Sequence, residues 1–266
     1  RAFLLAAVMV AVGLWWSRID LTCCSVWWRG QIVVGKLLGH FPYLQWKDIK
    51  RPVLGPYHGV ICPRPSDFRK VVWLESRGGQ GGVWQLYQTD LGQFWLPAPD
   101  KELLAMLVWE ITVQRDYESG EVVIRPGDTV IDCGAHVGVF TKYALRRGAG
   151  RVIAIEPDPA NLPCLELNLA TEITQRQVIV VKAGLWDKEA RLRLFENTND
   201  NSGRSSFLLS SPDRKQIEGV PVFPLDEVVR RLQLDRVDFI KMDIEGAERF
   251  ALRGATETMA RFKPRM

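Results

Sequence analysis

From residue 120 onward, short unbroken apolar runs alternate with segments whose apolar residues recur every three or four positions. The runs are Val130-Ile131, Val152-Ile153-Ala154-Ile155, Val178 to Val181 and Phe239 to Ile244. A strand apolar on both faces is one covered on both sides, and the segments between read as helices. Helices are expected around 138–147, after Asp158-Pro159, and from Leu225 to Leu234. Asp158 and Pro159 suit the cap and first turn of the second, whose Leu162, Leu165 and Leu169 share a face. Strands alternating with helices predict an α/β domain, a mostly parallel sheet doubly wound by helices. Residues 190–224 interrupt the rhythm as a polar insertion with short β runs.

Upstream the pattern differs. Val71 to Leu74, Val83 to Tyr87 and Gln93 to Leu96 read as short strands, separated by Gly78-Gly79 and Gly81-Gly82 and by the turn Asp90-Leu91-Gly92. Residues 100–112 predict a helix with Leu103, Leu104, Leu107, Val108 and Ile111 on one face and Asp100 as its cap. Residues 2–16 are a nearly continuous apolar run of fifteen, short of the ~20 that span a bilayer. Trp15, Trp16, Trp27 and Trp28 flank it, and Arg18, Arg29 and Lys36 follow. Such a run is expected to attach the chain to a membrane with its bulk in the cytoplasm. A removed signal peptide, or a hydrophobic helix packed on the domain, is the other reading. Three regions are therefore expected: a hydrophobic segment over 1–28, an N-terminal β/α extension over 29–119, and the main domain over 120–266. The main domain is expected to be incomplete, because a further strand should begin near Phe262-Lys263-Pro264-Arg265.

Composition narrows the function classes. With 47% hydrophobic and 25% charged residues in 266, the chain reads as an ordinary globular protein. A net charge of +4 is too small to argue for nucleic acid as a partner. Residues 1–70 carry ten Lys and Arg against three Asp and Glu, so the basic bias lies there and the remainder is slightly acidic. The five cysteines are odd in number and lack zinc-ligand spacing, as expected of reduced thiols in a cytosolic compartment.

Three motifs carry candidate chemistry. The first is Asp132-Cys133-Gly134-Ala135-His136-Val137-Gly138, where a strand turns into a helix. Gly134 and Gly138 permit a tight turn and close approach of a ligand to the backbone. Dinucleotide enzymes place a glycine where this chain has His136, which argues against a pyrophosphate. Asp132 would repel phosphate and favour a ligand carrying an amine. The second is Glu156, at the end of the second strand and 24 residues after Asp132, placed to accept hydrogen bonds from ribose hydroxyls. Ala183, Gly184 and Leu185 end the third strand and are expected to line an adenine. The third motif is Ile240-Lys241-Met242-Asp243-Ile244-Glu245-Gly246-Ala247-Glu248. Strand alternation puts Lys241, Asp243 and Glu245 on one face. Three ionisable groups on a covered face cost desolvation energy unless they are paired or used. Asp243 is expected to orient cofactor and acceptor, Glu245 to act as general base, and Lys241 to neutralise one of the two.

At these residues the chain resembles the FkbM family of methyltransferases. DCGAHVG, Glu156-Pro157, Asn168 and IKMDIEGAE follow the family's pattern across roughly residues 120–266, except that His136 stands where the family usually has Asn. The resemblance implies a Rossmann-like class I methyltransferase fold with S-adenosyl-L-methionine as cofactor. Asp132, Gly134, Ala135, His136, Gly138, Glu156, Asn168, Ala183, Gly184, Leu185 and Asp243 would then hold the cofactor. Lys241, Asp243 and Glu245 would serve catalysis, with no metal. The implied reaction is methylation of a hydroxyl on a sugar, glycolipid or secondary metabolite. An NAD-dependent oxidoreductase would need a third glycine and a hydride-transfer acid, neither of which is evident. A non-catalytic nucleoside-binding module is the other alternative.

Overall fold

The computed structural model describes residues 71–79, 82–97, 101–196, 205–208 and 215–266, all within the unit Asp67–Met266. The apolar run at the N-terminus, its flanking tryptophans, and Asp100 lie outside the described residues. Among the described residues no helix is long and apolar enough to cross a membrane.

Three strands open the described chain: β1 (Val72–Gly79), β2 (Gly82–Thr89) and β3 (Gly92–Leu96). They form an antiparallel meander in the order β1-β2-β3. Helix α1 (Lys101–Trp109) follows and runs into a π turn over Glu110–Gln114. The alternating part then begins: β4 (Thr129–Cys133), α2 (Val139–Arg146), β5 (Arg151–Ile155), α3 (Leu162–Asn168), α4 (Ala170–Thr174) and β6 (Val178–Val181). The insertion contributes β7 (Gly184–Leu185), β8 (Ala190–Glu196) and β9 (Lys215–Phe223), a small sheet in the order β7-β9-β8. The chain ends with α5 (Leu225–Arg231), β10 (Phe239–Met242), α6 (Glu248–Arg253) and α7 (Thr256–Phe262).

The central sheet has the order β10-β4-β5-β6, and all its pairs are parallel. Its residues divide by parity. Val130, Val152, Ala154, Val178 and Phe239 pack with Phe140, Tyr143 and Ala144 of α2 and Leu165 of α3. Ile131, Cys133, Ile153, Ile155 and Ile240 pack on the other face with Leu225, Val228 and Val229 of α5 and Ala251 of α6. Both faces are therefore covered, which is why the strands read as unbroken apolar runs. Each fully buried Val or Ile contributes about 1.5–3 kcal/mol. The meander joins the first of these cores through Tyr87, Phe94, Trp95 and Leu96.

Two local expectations are corrected. The strand expected over Phe239–Ile244 stops at Met242. Its partner β4 ends at Cys133, the register mate of Met242, so there is no ladder to continue. The helix expected to open at Asp158-Pro159 starts at Leu162. Asp158 instead closes a turn, its Oδ1 accepting from the Ala160 N–H at 2.8 Å. At the far edge of the sheet, the Arg265 backbone pairs in parallel with Phe239. Ile240 N donates to Arg265 O, and Arg265 N donates to Asp238 O, both at 2.9 Å.

Candidate cofactor and active site

The site is built around the turn between β4 and α2. Gly134 has φ +81° and Gly138 φ +91°. A Cβ on Gly134 would lie 2.0 Å from the backbone oxygen of Asp243, so the bare glycine is what lets the end of β10 close against the turn. A Cβ on Gly138 would press on Leu165 and Leu169 at 3.0–3.1 Å. The Gly134 and Ala135 N–H groups both donate to Ile155 O at 3.0 Å, which ties the turn to the end of β5.

Glu156 follows directly after β5 and is buried. Its Oε2 accepts from the His136 N–H at 2.8 Å, and its Oε1 accepts from the Asp158 N–H at 2.9 Å and from Asn161 Nδ2 at 3.4 Å. Burial, reinforced by the neighbouring Asp158 carboxylate, pushes its carboxyl up to about 7. His136 is left-handed at φ +52°. Both of its ring nitrogens are shielded from solvent and have no hydrogen-bond partner among the described residues. Burial, aided by Lys241, pulls this imidazole down to about 4, so at neutral pH it has one donor and one acceptor unused.

These groups face an open cavity. Gly134 and His136 line it from the turn, Glu156 and Pro157 from the end of β5, and Ala183, Gly184 and Leu185 from β7 and the residue before it. Ser205 and Phe207 line it from the insertion, and Asp243, Ile244 and Glu245 from the segment after β10. It opens at the carboxyl ends of the parallel strands, where open α/β sheets bind ligands.

Several expected site residues take other places. Asp132 is fully buried beneath the turn. Its Oδ2 accepts from Thr141 Oγ1 at 2.7 Å, and its Oδ1 lies 3.2 Å from Lys241 Nζ. Lys241 is the register mate of Asp132 and points to the same face of the sheet. It donates at 2.6 Å to Gly134 O, so the amine beside Asp132 is the chain's own. Burial works against the charge on Lys241, but the Asp132 and Asp243 carboxylates outweigh it and hold the ammonium above its usual pKa. Lys241 therefore neutralises Asp132 directly. Ala135 is buried in the core. Asn168 is spent on the fold, donating to Val137 O and Trp95 O and accepting from Trp95 N. It staples β3 to the turn.

Beyond Met242 the strand alternation breaks. Asp243 N donates to Cys133 O at 3.1 Å, which sets this residue beside the turn. Its Oδ2 accepts from the Tyr117 hydroxyl at 2.7 Å. Glu245 is left-handed at φ +53°, and its carbonyl accepts from Ser206 Oγ at 2.7 Å. Both residues reach the cavity, but by the course of a turn. Glu248 stabilises that turn by accepting from the Ile244 and Gly246 N–H groups at 3.0 and 3.2 Å. Tyr117, Asn161, Ser205 and Phe207 went unrecognised in the sequence. Only Asn161, five residues after Glu156, left a signal that proximity could have raised.

An open parallel sheet with a glycine turn, a strand-end carboxylate and a second acidic strand end around one cavity is the layout of a Rossmann-like, nucleoside-binding α/β enzyme. Within that class, residues 132–266 match the family model described as Methyltransferase FkbM domain, and the chain belongs to this family. The cofactor of the family is S-adenosylmethionine. Among curated proteins, the AMB antimetabolite synthetase AmbE of Pseudomonas aeruginosa is 27% identical over 54% of this chain and 8% of its own length. The 31-O-demethyl-FK506 methyltransferase FkbM of Streptomyces tacrolimicus is 28% identical over 56% of this chain and 67% of its own. This chain thus spans a small part of the first and about two thirds of the second. A crystal structure of Methyltransferase FkbM from Methylobacillus flagellatus is 24% identical with a TM-score of 0.40, covering 59% of this chain and 35% of that one.

Proposed function

We propose that this protein transfers a methyl group from S-adenosylmethionine to a hydroxyl oxygen of a small-molecule or glycan acceptor. The observation that carries the reading is the cavity at the carboxyl ends of the parallel strands, where the glycine turn, the buried Glu156 carboxyl and the Asp243 carboxylate meet.

The residues fit the cofactor at three points. Glu156 uses three of the roughly four acceptor positions of a carboxylate on protein donors, leaving capacity for a ribose hydroxyl. Leu185 and Phe207 offer apolar surface for an adenine, the Phe207 ring resting against Gly184, where a Cβ would lie 2.4 Å from it. Asp243 is the carboxylate beside the glycine turn that suits the ammonium of the methionine end, since Asp132 is held by Lys241 and Thr141. Gly134, His136 and Gly138 shape the turn beneath.

S-adenosylmethionine, when bound, supplies a methyl already activated on a sulfonium. The protein's part is then orientation, worth about 7–11 kcal/mol in favourable cases, and removal of the hydroxyl proton. We assign that proton to Glu245, which lines the cavity near Asp243; a positioned base adds about 10²–10⁴-fold. Oxygen as the acceptor atom is supported by the relative named for a 31-O position. The apolar, Trp-flanked residues 1–16 are proposed to bring the enzyme to a membrane, on sequence grounds alone.

Titration with S-adenosylhomocysteine tests the cofactor half, and labelled methyl transfer onto a panel of hydroxylated glycans and lipids tests the other. Glu245→Gln is expected to lower kcat at least 10²-fold with S-adenosylhomocysteine affinity nearly unchanged. Normal turnover in that variant removes Glu245 as the base. NAD binding in place of S-adenosylhomocysteine would refute the cofactor half of this reading.

A further inference from the structure

The carboxylate assigned to the ligand's ammonium receives its one hydrogen bond among the described residues from outside the family core. Tyr117 lies fifteen residues before the matched region begins. Its hydroxyl donates to Asp243 Oδ2 at 2.7 Å across 126 residues of sequence. The contact is built rather than casual. The ring meets Phe140 edge-on with centroids 5.3 Å apart, and Lys241 Nζ stands 5.5 Å from its centre. The next residue, Glu118, is buried and anchors the segment. It accepts from the Ile124 N–H at 2.8 Å and from the Tyr143 hydroxyl, with Arg147 Nε 3.5 Å away. Burial and the facing Asp243 carboxylate hold the Tyr117 phenol well above its ordinary pKa, so it stays a neutral donor.

We propose that Tyr117 is a positioning residue of the cofactor site: its hydroxyl fixes one oxygen of Asp243 and turns the other toward the ammonium of the bound ligand. The segment before the family core thereby completes the site. A carboxylate at the edge of a cavity has several rotamers within reach, and one hydrogen bond from a rigid ring selects among them. Phe140 and Lys241 set where that ring stands. Asp132 sets Lys241, which links the buried ion pair to the group that meets the ligand. The proposal rests on the reading of Asp243 given above.

Two ligands separate the ends of the site. S-adenosylhomocysteine carries the ammonium, and 5′-methylthioadenosine lacks the whole amino-acid part. In calorimetric titrations of the full chain, Tyr117→Phe is expected to weaken S-adenosylhomocysteine about tenfold, the scale of one hydrogen bond to a charged group. Methylthioadenosine should stay within about twofold, since its contacts lie at the nucleoside end. Asp243→Ala should show the same selectivity with a larger loss. The double variant should bind S-adenosylhomocysteine no more weakly than Asp243→Ala alone, because Tyr117 acts through Asp243. Equal losses for both ligands, or additive losses in the double variant, would overturn the role and leave Tyr117 as packing. If Asp243→Ala weakens S-adenosylhomocysteine selectively and Tyr117→Phe does not, Asp243 keeps its assignment and Tyr117 loses its own. If Asp243→Ala changes nothing, the reading of Asp243 fails and this proposal falls with it.

Discussion

Glu156 should couple ligand binding to proton release. In the free protein its carboxyl is pushed up to about 7, against an ordinary value of 4.5. At 1.36 kcal/mol per unit, ionising it in place costs about 3 kcal/mol relative to the unfolded chain. Because the folded value is the higher one, this group favours the native state most below about pH 4.5. That contribution is lost as pH rises to about 7. A ligand whose hydroxyls donate to the carboxylate reverses the preference, since hydrogen bonds to the charged form lower the pKa. Binding then expels a proton wherever the free group is still protonated. Affinity for S-adenosylhomocysteine should be flat above about pH 7.5 and fall roughly tenfold per unit below 6.5. His136, at about 4, titrates beneath this window. Calorimetry at pH 5.5, 6.5, 7.5 and 8.5, each in two buffers of different ionisation enthalpy, measures the affinity and counts the protons. Close to one proton should leave at pH 5.5 and almost none at 8.5. Glu156→Gln should abolish the slope. A wild-type affinity independent of pH across this range, with no proton released, would refute the reasoning, whatever the affinity itself.

Other consequences follow from the same geometry. Gly134→Ala puts a Cβ 2.0 Å from the Asp243 carbonyl at φ +81°. It should cost at least about 2 kcal/mol in denaturant unfolding and abolish S-adenosylhomocysteine binding. Lys241→Met leaves Asp132 buried without its partner, a loss of about 3–5 kcal/mol that should ease at acidic pH as Asp132 takes up a proton. Asn168→Ala strands three backbone groups, on Trp95 and Val137. It should lower stability by about 2–3 kcal/mol while the folded fraction keeps its ligand affinity within about threefold. A larger affinity loss would restore Asn168 to the cofactor site.

What was legible in the sequence was what short range decides. Unbroken apolar runs located all four strands of the central sheet, because a strand covered on both faces has no polar side to show. The glycines of the turn were legible because a left-handed φ and a close backbone approach leave a one-letter trace. Glu156 was legible from its distance to Asp132 at matching strand ends. What escaped depends on partners far away in sequence. β10 stops at Met242 because β4 stops at Cys133, 109 residues earlier. Asn168 stood in the family pattern, but its spending on Trp95, 73 residues back, could not be seen. Tyr117 sits in a stretch without periodicity, and nothing local ties it to Asp243.

The end of the ladder at Met242 also explains why the ionisable residues of one short motif have different roles. Inside the sheet, a lone charge would pay the full cost of desolvation, so Lys241 and Asp132 exist there only as register mates facing each other. Their pairing does further work, because the Lys241 ammonium also holds Gly134 O and so stiffens the turn from below. One residue past the last ladder pair, the constraint lifts. Asp243 is exposed at the cavity's edge, with a single hydroxyl as its side-chain donor among the described residues. Glu245 is itself left-handed and is followed by the left-handed Gly246, and so escapes the alternation that would have set it beside Lys241. The charges locked inside the sheet shape the cofactor turn, and those released beyond it face the ligand. Moving the strand end by two residues, as the alternation alone suggested, would bury Asp243 in the sheet opposite no partner strand and remove the carboxylate that the proposed reaction needs.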